Sequence, residues 1–420
     1  MQTATESFLN PYRFLDLTDD RGFLCGKILS SLGAEIIKIE PPGGDASRLA
    51  NHRYQSDSSN EHENSLFWFA YNQGKKGVTL NLQSQDGKAL FKRLASTAHG
   101  IIESFSPGYL DSLGLGYTVL TQNNPGLIFT SITPFGQDGP YKDWNAPDIV
   151  GMALGGYMYL CGDPDRAPVR ISYPQAYLHA AGEAAVGTLI ALYHWINTGE
   201  GQLVDVSMQE SVAMLMFNSR GYWELDKTII SRQGPRRTGL SSGAIQRQTW
   251  PCRDGFVTFV VMAGTTGAKT NQALVKWMGE DGMADEYLRS IDWAIFDMAT
   301  AGQEFHDEVE ARIGRFFLKH TRDELTEGAL KRRIMLYPVA TVSDLLSNPQ
   351  LIARDYWIPV AHPEMGTTVA YPGPFIKSSP TPCVTGHRAP LVGEHNEEVY
   401  SKELGLSQPE MVELRRKGVI

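Results

Sequence analysis

Apolar positions along the chain switch repeatedly between two periods. RFLDLTD (13–19) is a β-rich run, and RGFLCGKILSSLGA (21–34) carries Leu24, Ile28 and Leu32 four residues apart, as one face of a helix requires. EIIKIE (35–40) is again strand-like, and PPGGD (41–45) breaks it. VTLNL (78–82) predicts a strand and QDGKALFKRLAS (85–96) a helix with Leu90, Phe91 and Leu94 on one side. GIIESF (100–105) predicts a strand stopped by Pro107 and Gly108, and LIFTSITPF (127–135) another. Strands alternating with helices predict an α/β fold, a parallel sheet with helices on its faces. Such sheets bind ligands at the carboxyl ends of their strands.

Residues 175–197 form the longest helical run, dominated by Ala, Gly and Leu and nearly without charge. That composition predicts a helix buried against a sheet or a second subunit. QLVDVSM (202–208) then returns to strand. The texture changes near residue 225. Loops rich in Gly and Arg (234–243) precede one clear strand, FVTFVVM (256–262), and a charge-rich helical stretch, 283–333. The expected organisation is a large Rossmann-like domain opening with 1–220, a smaller α+β domain at 225–330, and a segment at 334–420 that returns to the large domain and ends in a helix at 408–416. There is no internal repeat and no low-complexity tract.

Composition narrows the function. The chain has 420 residues, is 42% hydrophobic and 20% charged, and carries a net charge of −9. It can bury a large core, which argues against disorder, and its acidic balance argues against nucleic acid as a partner. Cys25, Cys161, Cys252 and Cys383 lie far apart with no C-x-x-C pair, as expected for a reducing cytoplasm rather than a disulfide scaffold. No run of 18 apolar residues spans a membrane, and the start MQTATESFLNPYRF predicts no signal peptide. No metal motif, P-loop or G-x-G-x-x-G is present, so no metal is expected.

The candidate chemistry is spread along the chain. His179 and His194 lie in the apolar helix and read most simply as satisfied core or interface residues. Asp148, in WNAPDIVGMALGG, is either a helix N-cap or a carboxylate facing a cleft. Glu183, among small residues of the long helix, needs a partner. Asp205 reads as structural. Lys38, Arg48 and the pair Lys75 and Lys76 are cations near strand ends and turns. They suit phosphate recognition, though each alone is more simply a solvated surface charge.

Several ordered segments resemble the class III CoA-transferases, the family of formyl-CoA transferase and carnitine CoA-transferase. They are LGAEIIKIEPPGGDASR (32–48), NQGKKGVTLNLQSQDGKALFKRL (72–94), IIESFSPGYLDSLGLGY (101–117), NPGLIFTSITPFGQDGPY (124–141), TGEGQLVDVSM (198–208), PVATVSDLLSNPQLIARDY (338–356) and APLVGEHNEEVYSKELGL (389–406). The resemblance implies a Rossmann-like domain built from both chain ends, a smaller inserted domain, and two subunits threaded through each other as an interlocked dimer. It implies coenzyme A, carried as an acyl-CoA substrate. It also implies an aspartate nucleophile that attacks the acyl-CoA thioester and forms a mixed anhydride.

In the family that aspartate lies 23 residues before T-G-x-G-Q, which here reaches Gln175. No Asp or Glu occurs from Ile171 to Gly182. A glutamine amide carries no negative charge and cannot form the anhydride. Racemases of the same superfamily resemble this chain at Asp148, but Phe135, in TPFG (133–136), stands where they keep a histidine. The strand-end position often held by an Arg on the CoA nucleotide is Pro41. Ser104 and Ser112 replace an Asn and an Arg that flank F-x-P-G, Phe105 remains, and the Gly-rich loop is reduced to Ser241, Ser242 and Gly243. Lys38, Arg48, Lys75, Ser104, Phe105, Tyr109 and Phe135 are the positions expected to meet CoA.

These substitutions imply a non-catalytic subunit working beside a paralogous, Asp-bearing partner in a heterodimer or heterotetramer. Within the family the resemblance points to the succinyl-CoA:(R)-benzylsuccinate type of anaerobic toluene degradation. Two alternatives stand beside it. One is a self-sufficient transferase or acyl-CoA racemase using Asp148. The other is a CoA-binding regulatory module.

Overall fold

A computed structural model describes residues 7–49, 64–238, 243–298 and 300–420, so Ser241 and Ser242 of the expected loop lie outside the described residues. The chain divides into two compact units. One contains the described residues up to Tyr157, Arg170–Lys227 and Pro349–Ile420; the other contains Met158–Val169 and Thr228–Asn348.

The first unit is the expected α/β layer structure. Its strands are β1 (Arg13–Asp16), β2 (Glu35–Glu40), β3 (Lys76–Thr79), β4 (Gly100–Glu103), β5 (Ile128–Thr133) and β6 (Leu203–Ser207). They form one parallel sheet in the order β3-β2-β1-β4-β5-β6. Between them run the helices α1 (Phe23–Ser31), α2 (Leu66–Asn72), α3 (Gln85–Ala95), α4 (Tyr109–Ser112), α5 (Tyr117–Leu120), α6 (Asp148–Leu154) and α7 (Ala176–Thr198). β4 and β5 are buried along their whole length, so neither shows the apolar–polar alternation of a half-exposed strand.

Local chemistry sets the element ends. In α3 the Ser84 hydroxyl accepts the Gly87 N–H at 3.0 Å, Asp86 lies in the first turn, and Lys92 and Arg93 lie in the last. This arrangement suits both the cap and the helix dipole. α7 stops at Gly199, whose φ of 77° is left-handed. The strand expected at 78–82 runs instead from Lys76 to Thr79. Lys76 and Gly77 continue the ladder with Ile37 and Lys38, whereas Leu80, Asn81 and Leu82 turn onto the wall of a crevice.

Residues from 389 onward pack back on β3. The Asn396 side-chain oxygen accepts the Thr79 N–H at 2.9 Å, the Tyr400 hydroxyl donates to the Thr79 carbonyl at 2.9 Å, and the Asn81 N–H donates to the Val419 carbonyl at 2.7 Å.

The second unit has an antiparallel sheet of Thr249–Cys252, Gly255–Phe259 and Leu336–Pro338. Its core joins Trp250, Trp277, Phe316 and Phe317. The helix Gly264–Glu280 was not expected from the sequence. Its Gly-Thr-Thr-Gly opening lacks a helical period, and the buried Leu274, Val275, Trp277 and Met278 of its second half hold it in place.

Candidate active site

Strand order reverses between β1 and β4, so the chain leaves the sheet in opposite directions there and opens a crevice beyond the strands' carboxyl ends. The crevice holds about 460 Å³ and is lined by Thr18, Asp19, Glu40, Pro41, Asp45, Asn81, Gln83, Ser104, Phe105 and Tyr109, among others. The Phe105 and Tyr109 rings lie 4.7 Å apart and form one wall. Ser104 and Asp19 tie the β4 end to the β1 end. The Ser104 hydroxyl donates to the Asp19 carboxylate, and the Asp19 N–H donates to the Ser104 oxygen, each at 2.9 Å. Among the described lining residues there is no Lys or Arg, and three are acidic.

The expected cations lie elsewhere. Lys38 and Lys75 are buried within the first unit, not on the crevice wall. Lys75 donates to Asp16 Oδ2 at 2.7 Å and to Asn72 at 2.9 Å, while Lys38 donates to the Thr18 carbonyl and sits 3.7 Å from Asp16 Oδ1. Burial pushes the Asp16 carboxyl up, but Lys75 and Lys38 outweigh it and hold the group below its ordinary range. Arg48 is also buried. It pairs with Glu40 at 2.6 Å and stacks 3.7 Å over Trp68, so it braces the crevice through Glu40. A sequence shows a cation near a strand end but not the carboxylate folded against it.

Asp19 links the crevice to the start of α7. Arg21 grips the Asp19 carboxylate with two nitrogens, at 2.8 and 2.7 Å, and bonds the Tyr177 hydroxyl. That hydroxyl also donates to the Ala146 carbonyl at 2.7 Å, and burial pushes it up to about 12. Gln175, two residues earlier, is the N-cap of α7, yet its side chain makes no capping bond. The cap comes from Asp148, which accepts the Ala176 N–H at 2.6 Å. The structure thus brings Asp148 to the position of Gln175. Phe135 instead packs against Tyr141 and Trp144, with centroids 5.8 and 6.2 Å away. Ser112 is exposed and bonds its own helix at the Tyr109 carbonyl. Glu183 is exposed on the outer face of α7, and Asp205 accepts the Gln137 N–H at 2.9 Å.

Sequence reasoning missed Asp19, Asn81 and Gln83 on the crevice wall and Glu103 behind it. The one signal for Glu103 was an acid ending the otherwise apolar β4. Among the described residues no group of three or more His, Cys, Asp or Glu could hold a metal ion, and no helix is long and apolar enough to cross a membrane.

Residues 13–396 match the family model described as CoA-transferase family III. The chain is 33% identical over 414 residues to the succinyl-CoA:(R)-benzylsuccinate CoA-transferase subunit BbsE of Thauera aromatica, covering 97% of each chain. It is 33% identical over 401 residues to the succinyl-CoA–D-citramalate CoA-transferase of Chloroflexus aurantiacus, covering 95% of this chain and 94% of that one. A solved CAIB/BAIF family protein from Brucella suis superposes with a TM-score of 0.81 at 25% identity, over 94% of this chain and 100% of that one.

Proposed function

The chain belongs to CoA-transferase family III, and we propose that within it this is the non-catalytic subunit of a heteromeric enzyme that moves CoA from succinyl-CoA to a carboxylic acid, (R)-benzylsuccinate. The observation that carries the reading is Gln175 at the start of α7, with no Asp or Glu from Ile171 to Gly182.

The family's chemistry needs a carboxylate there. Its oxygen attacks the thioester carbon, the CoA thiolate leaves, and a mixed acid anhydride forms. The thiolate then attacks the aspartyl carbonyl, which releases the donor acid and leaves an enzyme–CoA thioester for the acceptor acid to open. An amide nitrogen has its lone pair delocalised into the carbonyl and cannot take the first step. On this reading a paralogous Asp-bearing chain supplies the nucleophile, and the two chains interlock.

Two features support a partner. The relative BbsE is itself named as a subunit. The outer face of α7 is open to solvent and, apart from Glu183, carries exposed apolar side chains, with Ile190 63% exposed beside Met214 and Phe217 and Tyr193 71% exposed. The crevice is the proposed CoA site, with Phe105 and Tyr109 offering the adenine a stacking surface. With no cation among its described lining residues, it binds the nucleotide weakly in the isolated chain.

The test is CoA exchange between succinyl-CoA and (R)-benzylsuccinate, assayed on the purified chain and on the chain with its Asp-bearing paralogue. Turnover only in the mixture is the expected result. A specific observation favours a second reading: Asp148 is a carboxylate at the α7 start. Turnover by the isolated chain that Asp148→Asn abolishes would establish that reading and refute the first.

A further inference from the structure

We infer that Glu103 is a positioning residue for the crevice: its carboxyl group holds the Phe105 backbone, and through it the aromatic wall, with a strength set by its charge. The inference rests on the crevice being the CoA site.

Glu103, Ser131 and Asp205 stand in register across β4, β5 and β6. The Ser131 hydroxyl donates to one Glu103 oxygen. The Phe105 N–H donates to the other at 2.7 Å. Gln137 closes the row, donating from its side-chain amide to Ser131 at 2.6 Å and from its backbone to Asp205 at 2.9 Å. The Phe105 ring faces the crevice. The Glu103 carboxyl borders a separate cavity of about 140 Å³ with Asp111, Tyr117, Ser131 and Gln137. The segment carrying the aromatic wall is therefore held from behind by the Glu103 carboxyl group, beside the Ser104–Asp19 bonds one residue earlier.

That group has no cation bonded to it. Burial pushes it up to about 7, against the bonds from Ser131 and Phe105 and the pull of Arg21, while Asp19 adds to the rise. The other ionisable groups around it are Asp111 and Tyr117 across the small cavity and Asp205 through Gln137. Both charge states are populated near neutral pH. The ionised carboxylate is the stronger acceptor for the Phe105 N–H.

The experiment measures amide exchange of the peptide containing Phe105 in the full chain, corrected for intrinsic exchange, from pH 6 to pH 8. Calorimetric titration with coenzyme A accompanies it. The variant is Glu103→Gln, which keeps an acceptor but cannot ionise. Wild-type protection should rise about fivefold between pH 6 and pH 8, and the variant should stay at the wild-type pH 6 value. The ratio of wild-type to variant CoA affinity should move from unity at pH 6 to about fivefold at pH 8. Protection that fails to rise in wild type, or rises equally in the variant, overturns the inference. If protection follows the expected course but coenzyme A does not bind wild type, the crevice reading fails and the anchoring role of Glu103 stands.

Discussion

Asp148 accepts the Ala176 N–H at 2.6 Å, so the first turn of the longest helix is capped by a residue 28 positions earlier in the chain rather than by its own N-cap, Gln175. Each of the first helical N–H groups lacks an intrahelical partner, and a carboxylate beside the positive end of the dipole is the favourable one. The Gln175 side chain is left uncommitted at the helix end.

Removing that cap should cost stability without unfolding the chain. Asp148→Ala is expected to lower the unfolding free energy by about 1 kcal/mol, and Asp148→Asn, which keeps an acceptor, by less. Urea denaturation of the three proteins measures it. A loss from Asp148→Asn as large as that from Asp148→Ala would show that charge, not the hydrogen bond, carries the effect.

Gln175→Asp restores the missing group. Incubated with succinyl-CoA, this variant should form a covalent CoA thioester visible by intact mass, whereas wild type should form none. A clean variant spectrum would mean that the surroundings of residue 175 no longer bring a thioester to the helix end.

The buried group around Asp16 should be the most sensitive point of the first unit. Asp16→Asn leaves the Lys75 and Lys38 ammonium groups facing each other without a counter-charge, a loss expected at about 3–5 kcal/mol. Because the Asp16 carboxyl is held below its ordinary value of 3.8 when folded, its contribution is present above that value and is lost as pH falls through the folded one. The acid limb of a stability–pH curve should therefore flatten in Asp16→Asn. Gly26→Ala should disturb the same group, since an added methyl would lie 2.5 Å from the Asp16 carboxylate.

The open face of α7 should matter for assembly and little for the chain itself. Ile190 is 63% exposed, so Ile190→Asp should change the melting free energy by no more than about 0.5 kcal/mol. Co-purification with the Asp-bearing paralogue should nevertheless fall sharply. Unchanged co-purification would place the partner elsewhere.

The alternation of strands and helices in the first third was legible from the apolar periods, because each run reports which of its own faces is buried. The last helix, Gln408–Arg416, fell where its pattern put it. Element ends were less legible. The strand at 78–82 read two residues too late because Leu80 and Leu82, packed on the core and the crevice wall, extend the apolar run past Thr79, the last paired residue. The long helix, whose Ala and Leu predicted burial against a sheet or a second subunit, packs one face within the first unit. In the first unit, Ala180, Ala184 and Thr188 face inward, while Val186, Ile190 and Tyr193 remain open.

Residue chemistry survives any fold. An amide at position 175 is uncharged and a poor nucleophile wherever the backbone carries it, so the order of motifs and that substitution could be read from the chain alone. What a cation does cannot be read that way. Lys75 meets Asp16 across 59 residues of chain only because β2 pairs with both β1 and β3 and α1 approaches closely at Gly26. Desolvation then makes the pairing obligatory. Glu103 likewise became notable only when β4 and β5 set Ser131 against it in a buried row. Its charge depends on the water removed around it and the neighbours brought to it, and both are properties of the packed sheet.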